Sequence, residues 1–181
     1  MGEEPQIYPD KDIKNADWLK GIEIRPFEDK DAEDCFRIRT ESFIKLFYDK
    51  IGLGGVVAAV NDYLPSHYIE MAEDNPCFVA TKADTTVAFV MSKLKGNEIE
   101  IIFFYVKLDY CRQGVGKELF NYFEEYIKEK RPKVEKIILR TAFPEHNQGF
   151  YQKMGFVEAG ESSCKYSGLE IDALKMVKKI K

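Results

Sequence analysis

Histidine is almost absent from this 181-residue chain, which has two, His67 and His146. A His-rich metal centre is therefore excluded, and no metal is expected. Any Ser-His-Asp or Cys-His site would have to use one of those two residues. Cysteine is sparse too. Cys35, Cys77, Cys111 and Cys164 are widely spaced with no C-x-x-C pair, and read as free thiols in a reducing compartment. No apolar run reaches the roughly 18–20 residues of a membrane helix. The start, MGEEPQIYPDKD, is acidic and polar, unlike a secretory signal, so a cytoplasmic protein away from membranes is expected. An excess of basic charge is missing as well. Lys+Arg 27 against Asp+Glu 31 gives a net charge of -4, which argues against a generally basic nucleic-acid binder. What is present is a normal apolar share, 45%, with Phe 13 and Tyr 10 to fill a core.

Residues 1–20 are charged, carry Pro5 and Pro9, and show little periodicity. They read as an N-terminal extension to one domain over residues 21–181, with Ile7, Tyr8, Trp18 and Leu19 able to dock on it. A short strand is predicted at 22–25, and a helix over 31–47. Gly52, Gly54 and Gly55 should break the chain before a second helix at 56–63. A helix over 66–73 with Ser66 as cap comes next. Three strands at 77–81, 87–94 and 99–106 then form an antiparallel meander. The segment 114–129 is strongly amphipathic, with Val115, Leu119, Phe120, Phe123, Tyr126 and Ile127 on one face. A buried strand at 135–141, a short helix at 145–154 closed by Gly155, and strands at 156–159 and 169–180 complete the chain. The expected fold is α/β: a central mixed sheet, antiparallel in its first strands, with one parallel β-α-β crossover and flanking helices.

The stretch YVKLDYCRQGVGKEL is the most informative. A strand ends, a loop with Gly114 and Gly116 follows, and a helix starts at once. Unpaired N–H groups and the positive helix end make such a loop an anion site. It is not a P-loop, because Cys111 stands where the first Gly belongs and Glu118 follows Lys117. It is not a dinucleotide fingerprint, because Leu119 holds the last Gly position.

The run Cys111-Arg112-Gln113-Gly114-Val115-Gly116 resembles the Q/R-x-x-G-x-G/A motif of the GNAT superfamily of acyl-CoA-dependent N-acyltransferases. Downstream, GFYQKMGF resembles that family's second signature, an aromatic-Tyr-x-Lys-x-Gly-Phe run closing the last helix. The resemblance spans roughly residues 22–180. It departs at Cys111, where the family has Gln or Arg, and at Pro144 and Asn147, which leave the register of the family's helix Asn open. It implies acetyl-CoA or a related acyl-CoA as co-substrate. Pyrophosphate would lie on the amides of Arg112, Gln113, Gly114, Val115, Gly116 and Lys117. The pantetheine arm would pair with the edge of Phe104, Tyr105 and Val106, with Asn147, Tyr151 and Lys153 on the helix alongside. A splay between the fourth and fifth strands is a family property that periodicity does not reveal.

Acyl transfer from a thioester needs a neutral amine, a stabilised oxyanion and a protonated leaving thiolate. An amine with pKa ~10.4 is neutral only roughly one time in a thousand at pH 7, so a base helps. Tyr151 matches the family tyrosine that protonates the thiolate, and its alternative is packing. Regular alternation puts Glu98, Glu100, Ile102, Phe104 and Val106 on one face. Glu100 also matches the base glutamate of histone-acetylating family members, with Glu98 or a water chain as alternatives. A backbone N–H near Val106 would serve the oxyanion. His146 reads as a cap or surface residue. Cys111 lies near a helix start, where thiol pKa falls, but direct transfer in a ternary complex needs no cysteine nucleophile.

Phe36, Phe43, Phe47, Tyr48 and Tyr63 either line the acceptor site or belong to the core. Asp34, Glu41 and Glu161 are candidate amine contacts. Lys175, Lys178, Lys179 and Lys181 read as a solvated face. The acceptor is a small-molecule amine, a peptide α-amine or a protein lysine, on a monomer or homodimer. The alternatives are a non-catalytic CoA-binding module and a protein-interaction domain of the same fold.

Overall fold

The computed structural model describes residues 19–180. The N-terminal extension expected over 1–20 thus lies outside the described residues except for Leu19 and Lys20. So do the side chain of His146 and Lys181. The strands are β1 (Ile22–Pro26), β2 (Phe78–Lys82), β3 (Thr85–Lys95), β4 (Glu98–Val106), β5 (Lys136–Ala142), β6 (Val157–Tyr166) and β7 (Leu169–Lys179). They form a 7-stranded sheet in the order β1-β2-β3-β4-β5-β7-β6. Only β4 and β5 pair in parallel among the described strands. Helices α1 (Ala32–Asn61), α2 (Pro65–Asp74), α3 (Val115–Lys130) and α4 (Pro144–Lys153) complete the fold. This is the mixed α/β architecture the sequence predicts.

The sheet has two dressed faces. On one, the α3 stripe Val115, Leu119, Phe120, Phe123 and Ile127 packs on Ala80, Val90, Ile99, Ile137 and Met176. On the other, Cys35, Ile38, Tyr68 and Met71 of α1 and α2 cover Val79, Phe89, Met91 and Phe103. Burying an aliphatic or aromatic side chain is favourable by roughly 1.5–3 kcal/mol, so these two layers fix the sheet between the helices.

Several local expectations change. The break expected at the glycines falls at Gly52 and divides α1 into two helical stretches instead of leaving two separate helices. Gly52 alone leaves helical geometry (φ 66, ψ -179), and the helix resumes to Asn61 beyond that kink. Ser66 is not the cap of α2. Leu64 is, with Pro65 next and the Leu64 N–H donating to His67 Nδ1 at 2.9 Å. β6 runs on to Tyr166 because it pairs with β7 along most of its length. Lys178 is not a solvated lysine. Its Nζ pairs with Glu124 at 2.5 Å and lies 5.0 Å from the Phe120 ring centroid.

The turn before α1 is held by one carboxylate. Asp31 is 3% exposed and takes two hydrogen bonds from Arg25 (2.7 and 2.8 Å), one from the Glu28 N–H (2.9 Å) and one from the Thr86 hydroxyl (3.0 Å). Burial works to raise its pKa; Arg25, the Glu28 amide and Thr86 outweigh it, and the net shift is downward. A depressed folded pKa means stability present above the unfolded value near 3.9 and lost as pH falls through the folded one. Asp31→Asn should lower unfolding stability at pH 7 by about 3 kcal/mol in denaturant titrations. The gap to wild type should close below about pH 4; a gap constant with pH would contradict the charge-based account.

Candidate active site at the β4–β5 fork

β4 carries one extra residue. Met91 pairs with Phe103 but Ser92 pairs with Ile101, so Ile102 is a bulge. A bulge shifts the alternation and bends the strand. Ile99 and Ile101 face α3, and after the bulge so do Phe104 and Val106. Ile102, Phe103 and Tyr105 face α1 and α2. The expectation that Glu98, Glu100, Ile102, Phe104 and Val106 share one face is therefore corrected: Phe104 and Val106 lie opposite Glu100.

The parallel ladder stops at the same place. β4 pairs with β5 from Glu98↔Lys136 to Ile101↔Leu139 and no further, although β4 continues to Val106 and β5 to Ala142. The strands part into a fork. The β5-facing backbone groups of Phe103, Phe104, Tyr105 and Val106 have no ladder partner there, while β3 still pairs with the other edge. Such an edge is an acceptor for an extended ligand.

The glycine loop closes one side of the fork. Arg112 (φ 59) and Gly114 (φ 86) both take left-handed geometry, and Gly114 is the N-cap of α3 with no side-chain cap. The N–H groups of Val115, Gly116 and Lys117 precede the first intrahelical bond, Glu118 N–H to Gly114 O at 3.0 Å. A Cβ on Gly116 would lie 3.2 Å from Val106 Cγ2 and 3.6 Å from the Phe104 and Phe150 rings. Only glycine lets α3 approach β4 and α4 that closely. Unpaired amides at a helix start, beside an open strand edge, suit the diphosphate and extended arm of an acyl-CoA. Gln113 Nε2 donates to Asp109 O at 2.6 Å and braces the loop from within. Arg112, Lys117 and Lys153 are exposed, and Asn147 is partly exposed on α4.

Tyr151 sits on α4 against the open part of β4. Its ring centroid is 6.5 Å from Phe104, 5.3 Å from Phe150 and 5.8 Å from Phe156. Burial pushes its hydroxyl pKa up, with a smaller contribution from Tyr105. Tyr151 and the glycine loop are thus brought to the same side of the fork. Tyr105 contributes backbone to the free edge, but its ring turns to the other face, 5.7 Å from Phe89 and 6.4 Å from Phe43.

Glu100 is 7% exposed and belongs to the closed part of the ladder, opposite Ile138. Lys95 Nζ meets one carboxylate oxygen at 2.5 Å and Arg140 meets the other. Glu98 pairs with Lys136. Cys111 is corrected: it follows a 3-10 turn, its thiol faces the Val106 and Lys107 carbonyls at 3.6 Å, and burial raises its pKa. All four cysteines are free thiols. Of the acceptor candidates, Phe43 and Phe47 are core, and Asp34 is engaged by Arg37 and the Thr86 N–H.

Sequence reasoning missed two features here. Phe143 follows β5 with φ 50, an uncommon geometry for a bulky side chain, and packs tilted against Phe47 with ring centroids 4.7 Å apart. A cavity of about 550 Å³ opens beside it, lined by Lys50, Ile51, Glu145, Leu169, Glu170 and Asp172 among others. Arg39, buried behind β4, is the second. Its signal was a basic residue within the helical stripe Cys35, Ile38, Arg39, Ser42, Phe43.

This fold is shared with known proteins. A family model for an acetyltransferase (GNAT) domain matches residues 29–180, and the chain belongs to that family. The fold is that of PaiA N-acetyltransferase from Thermoplasma acidophilum in complex with coenzyme A: TM-score 0.73 and 21% identity, over 87% of this chain and 98% of that one. It is also that of Ard1 from Thermoplasma volcanium, with TM-score 0.69 and 24% identity over 88% and 97%. The ribosomal-protein-S18-alanine N-acetyltransferase from Escherichia coli gives 0.65 and 20% over 88% and 94%. At such identities the likeness is one of fold. No curated protein matches the sequence. Among the described residues, no helix is long and apolar enough to cross a membrane and no group of side chains has the makings of a metal site.

The loop geometry makes a direct prediction. Gly114→Ala places a Cβ in left-handed backbone, at about 1–2 kcal/mol, and should lower Tm and weaken CoA binding by calorimetry. An unchanged Kd for CoA would remove the loop from the binding site.

Proposed function

We propose that the protein is an N-acetyltransferase that moves the acetyl group of acetyl-CoA, or of a close relative, to a primary amine. One observation carries this reading: the strand edge left open where the β4–β5 ladder stops, flanked by unpaired amides at the start of α3 and by Tyr151. The acyl-CoA supplies the activated thioester. The amides of residues 112–117 would hold its diphosphate, and the β4 edge would align its arm. An N–H on that edge would donate to the oxyanion.

The reaction forms a C–N bond and breaks the C–S bond. The electron pair goes to sulfur, Tyr151 gives sulfur a proton, and the amine surrenders one. Raised by burial, Tyr151 stays protonated throughout the neutral range, so it remains a donor. The amine must come from the other side of the fork, where α1 and β7 frame the cavity beside Phe143. Glu145, Glu170 and Asp172 on that rim favour a cationic approach, while Lys50 pairs with Glu145. Glu100 is on the same face and is the proposed base; its pairs with Lys95 and Arg140 must open for it to accept a proton.

Tyr151→Phe should reduce kcat roughly 10²-fold or more while leaving the Kd for acetyl-CoA within about twofold. Unchanged kcat would remove the acid role. Glu100→Gln should move the pH–rate profile to higher pH, because turnover would then wait on the free amine. An identical profile would assign the base elsewhere. A mass-spectrometric screen of amines, peptides and proteins with acetyl-CoA identifies the acceptor. Tight CoA binding with no product across such a panel would favour a non-catalytic CoA-binding module.

A further inference from the structure

Arg39 is a fully buried cation with no ion pair among the described residues. It is 0% exposed, and one terminal nitrogen donates to Ala59 O at 2.6 Å across the kink in α1. Nε and Nη1 have no hydrogen-bond partner of normal geometry among the described residues, although the Tyr68 and Tyr105 hydroxyls interact with the guanidinium. Aromatic rings enclose the rest: its Cζ lies 4.9 Å from the Phe43 centroid, 4.9 Å from Phe103 and 5.3 Å from Tyr63. Phe103 belongs to the open stretch of β4, so the guanidinium stands directly behind the fork on the acceptor face.

Among the described residues, no titratable group packed around it forms an ion pair with it. On α2, Tyr68 is raised by burial; on β4, Tyr105 is pushed up to about 12; on β6, Tyr166 and Cys164 are raised in the same way. Each keeps its proton at neutral pH. Tyr63 contributes a ring. Asp62, at the surface end of α1, is held chiefly by Ser167; Arg39 contributes only the smallest part of the lowering of its pKa and makes no direct pair with it. A buried charge without a partner is expensive, and a leucine or methionine would fill this space without that penalty. The charge has a field, and the fork is where it falls. Arg39 lies close enough to Tyr105, on the open stretch of β4, to pull its hydroxyl pKa down against the effect of burial.

Resting on the acyl-CoA reading above, the geometry points to Arg39 as an electrostatic positioning residue. It is an unneutralised cation fixed behind the open edge of β4, favouring negative charge on the departing sulfur of CoA without touching it. The same field opposes the ammonium form of an amine entering from that side. Nothing covalent happens at Arg39; its charge is constant through the reaction.

The test needs no acceptor. CoA labelled with ¹³C next to sulfur is bound to the protein, and its NMR shift is followed against pH to titrate the thiol. By Coulomb's law at an effective dielectric constant of about 20, a unit charge at any separation of roughly 10 Å moves a titration by roughly one pH unit. The thiol bound to Arg39→Met should titrate about one unit higher than in wild type. Arg39→Lys, which keeps the charge, should stay close to wild type. If Arg39→Met does not fold, Arg39→Gln is read in its place with the same expectation. Coincident titrations in the wild-type and neutral variants would overturn the inference. Failure of the wild-type protein to bind CoA would overturn the acyl-CoA reading instead, and is seen before any variant is made.

Discussion

One extra residue in β4 organises this molecule. The bulge at Ile102 coincides with the end of the β4–β5 ladder at Ile101↔Leu139. A bulged strand bends and twists more strongly, which turns β4 away from its parallel neighbour. Everything distinctive about the site follows from that parting. Backbone groups are left without a strand partner, and α3 must come close enough to cover them, which Gly116 permits. Phe104 then meets Phe150 and Tyr151, while Phe103 and Tyr105 turn to the opposite face. One insertion separates the two sides that a two-substrate reaction needs.

The charges divide along the same line. On the side of α3 the polar groups are main-chain amides, which suit a diphosphate in a protein whose net charge is -4. On the side of α1 the charges are in side chains. Glu100 is locked between Lys95 and Arg140, the cavity rim is acidic, and Arg39 is buried alone among rings. A scarcity of histidine fits such a site. Tyrosine, glutamate and backbone amides can perform acyl transfer without a group that titrates near neutrality.

The order of elements was legible because each has its own period. The α3 stripe repeats at helical spacing, β2 and β3 are short apolar runs between turns, and Pro132 and Gly155 mark element ends. The glycine loop and the Tyr151 run were legible as motifs. The bulge was not read, although the doubled Ile101-Ile102 and Phe103-Phe104 in EIEIIFFYV mark a broken alternation. Both faces of β4 are apolar there, so one residue of slip leaves no polar mismatch to reveal it. The break in α1 is legible in the glycines at 52–55 and falls at Gly52, which alone leaves helical geometry. Glu100's partner Arg140 and the fit of Lys178 on Glu124 depend on residues far apart in the chain. Arg39 was visible only as an oddity in an apolar stripe.

Hydrogen exchange along β4 tests the central claim, that its outer edge is an open ladder awaiting an extended ligand. Without CoA, the amides of residues 103–106 that point toward β5 should exchange faster than those paired to β3. With saturating CoA they should become protected, together with the first amides of α3. Equal protection along both edges of β4 without ligand, or no change in that segment on adding CoA, would contradict the account.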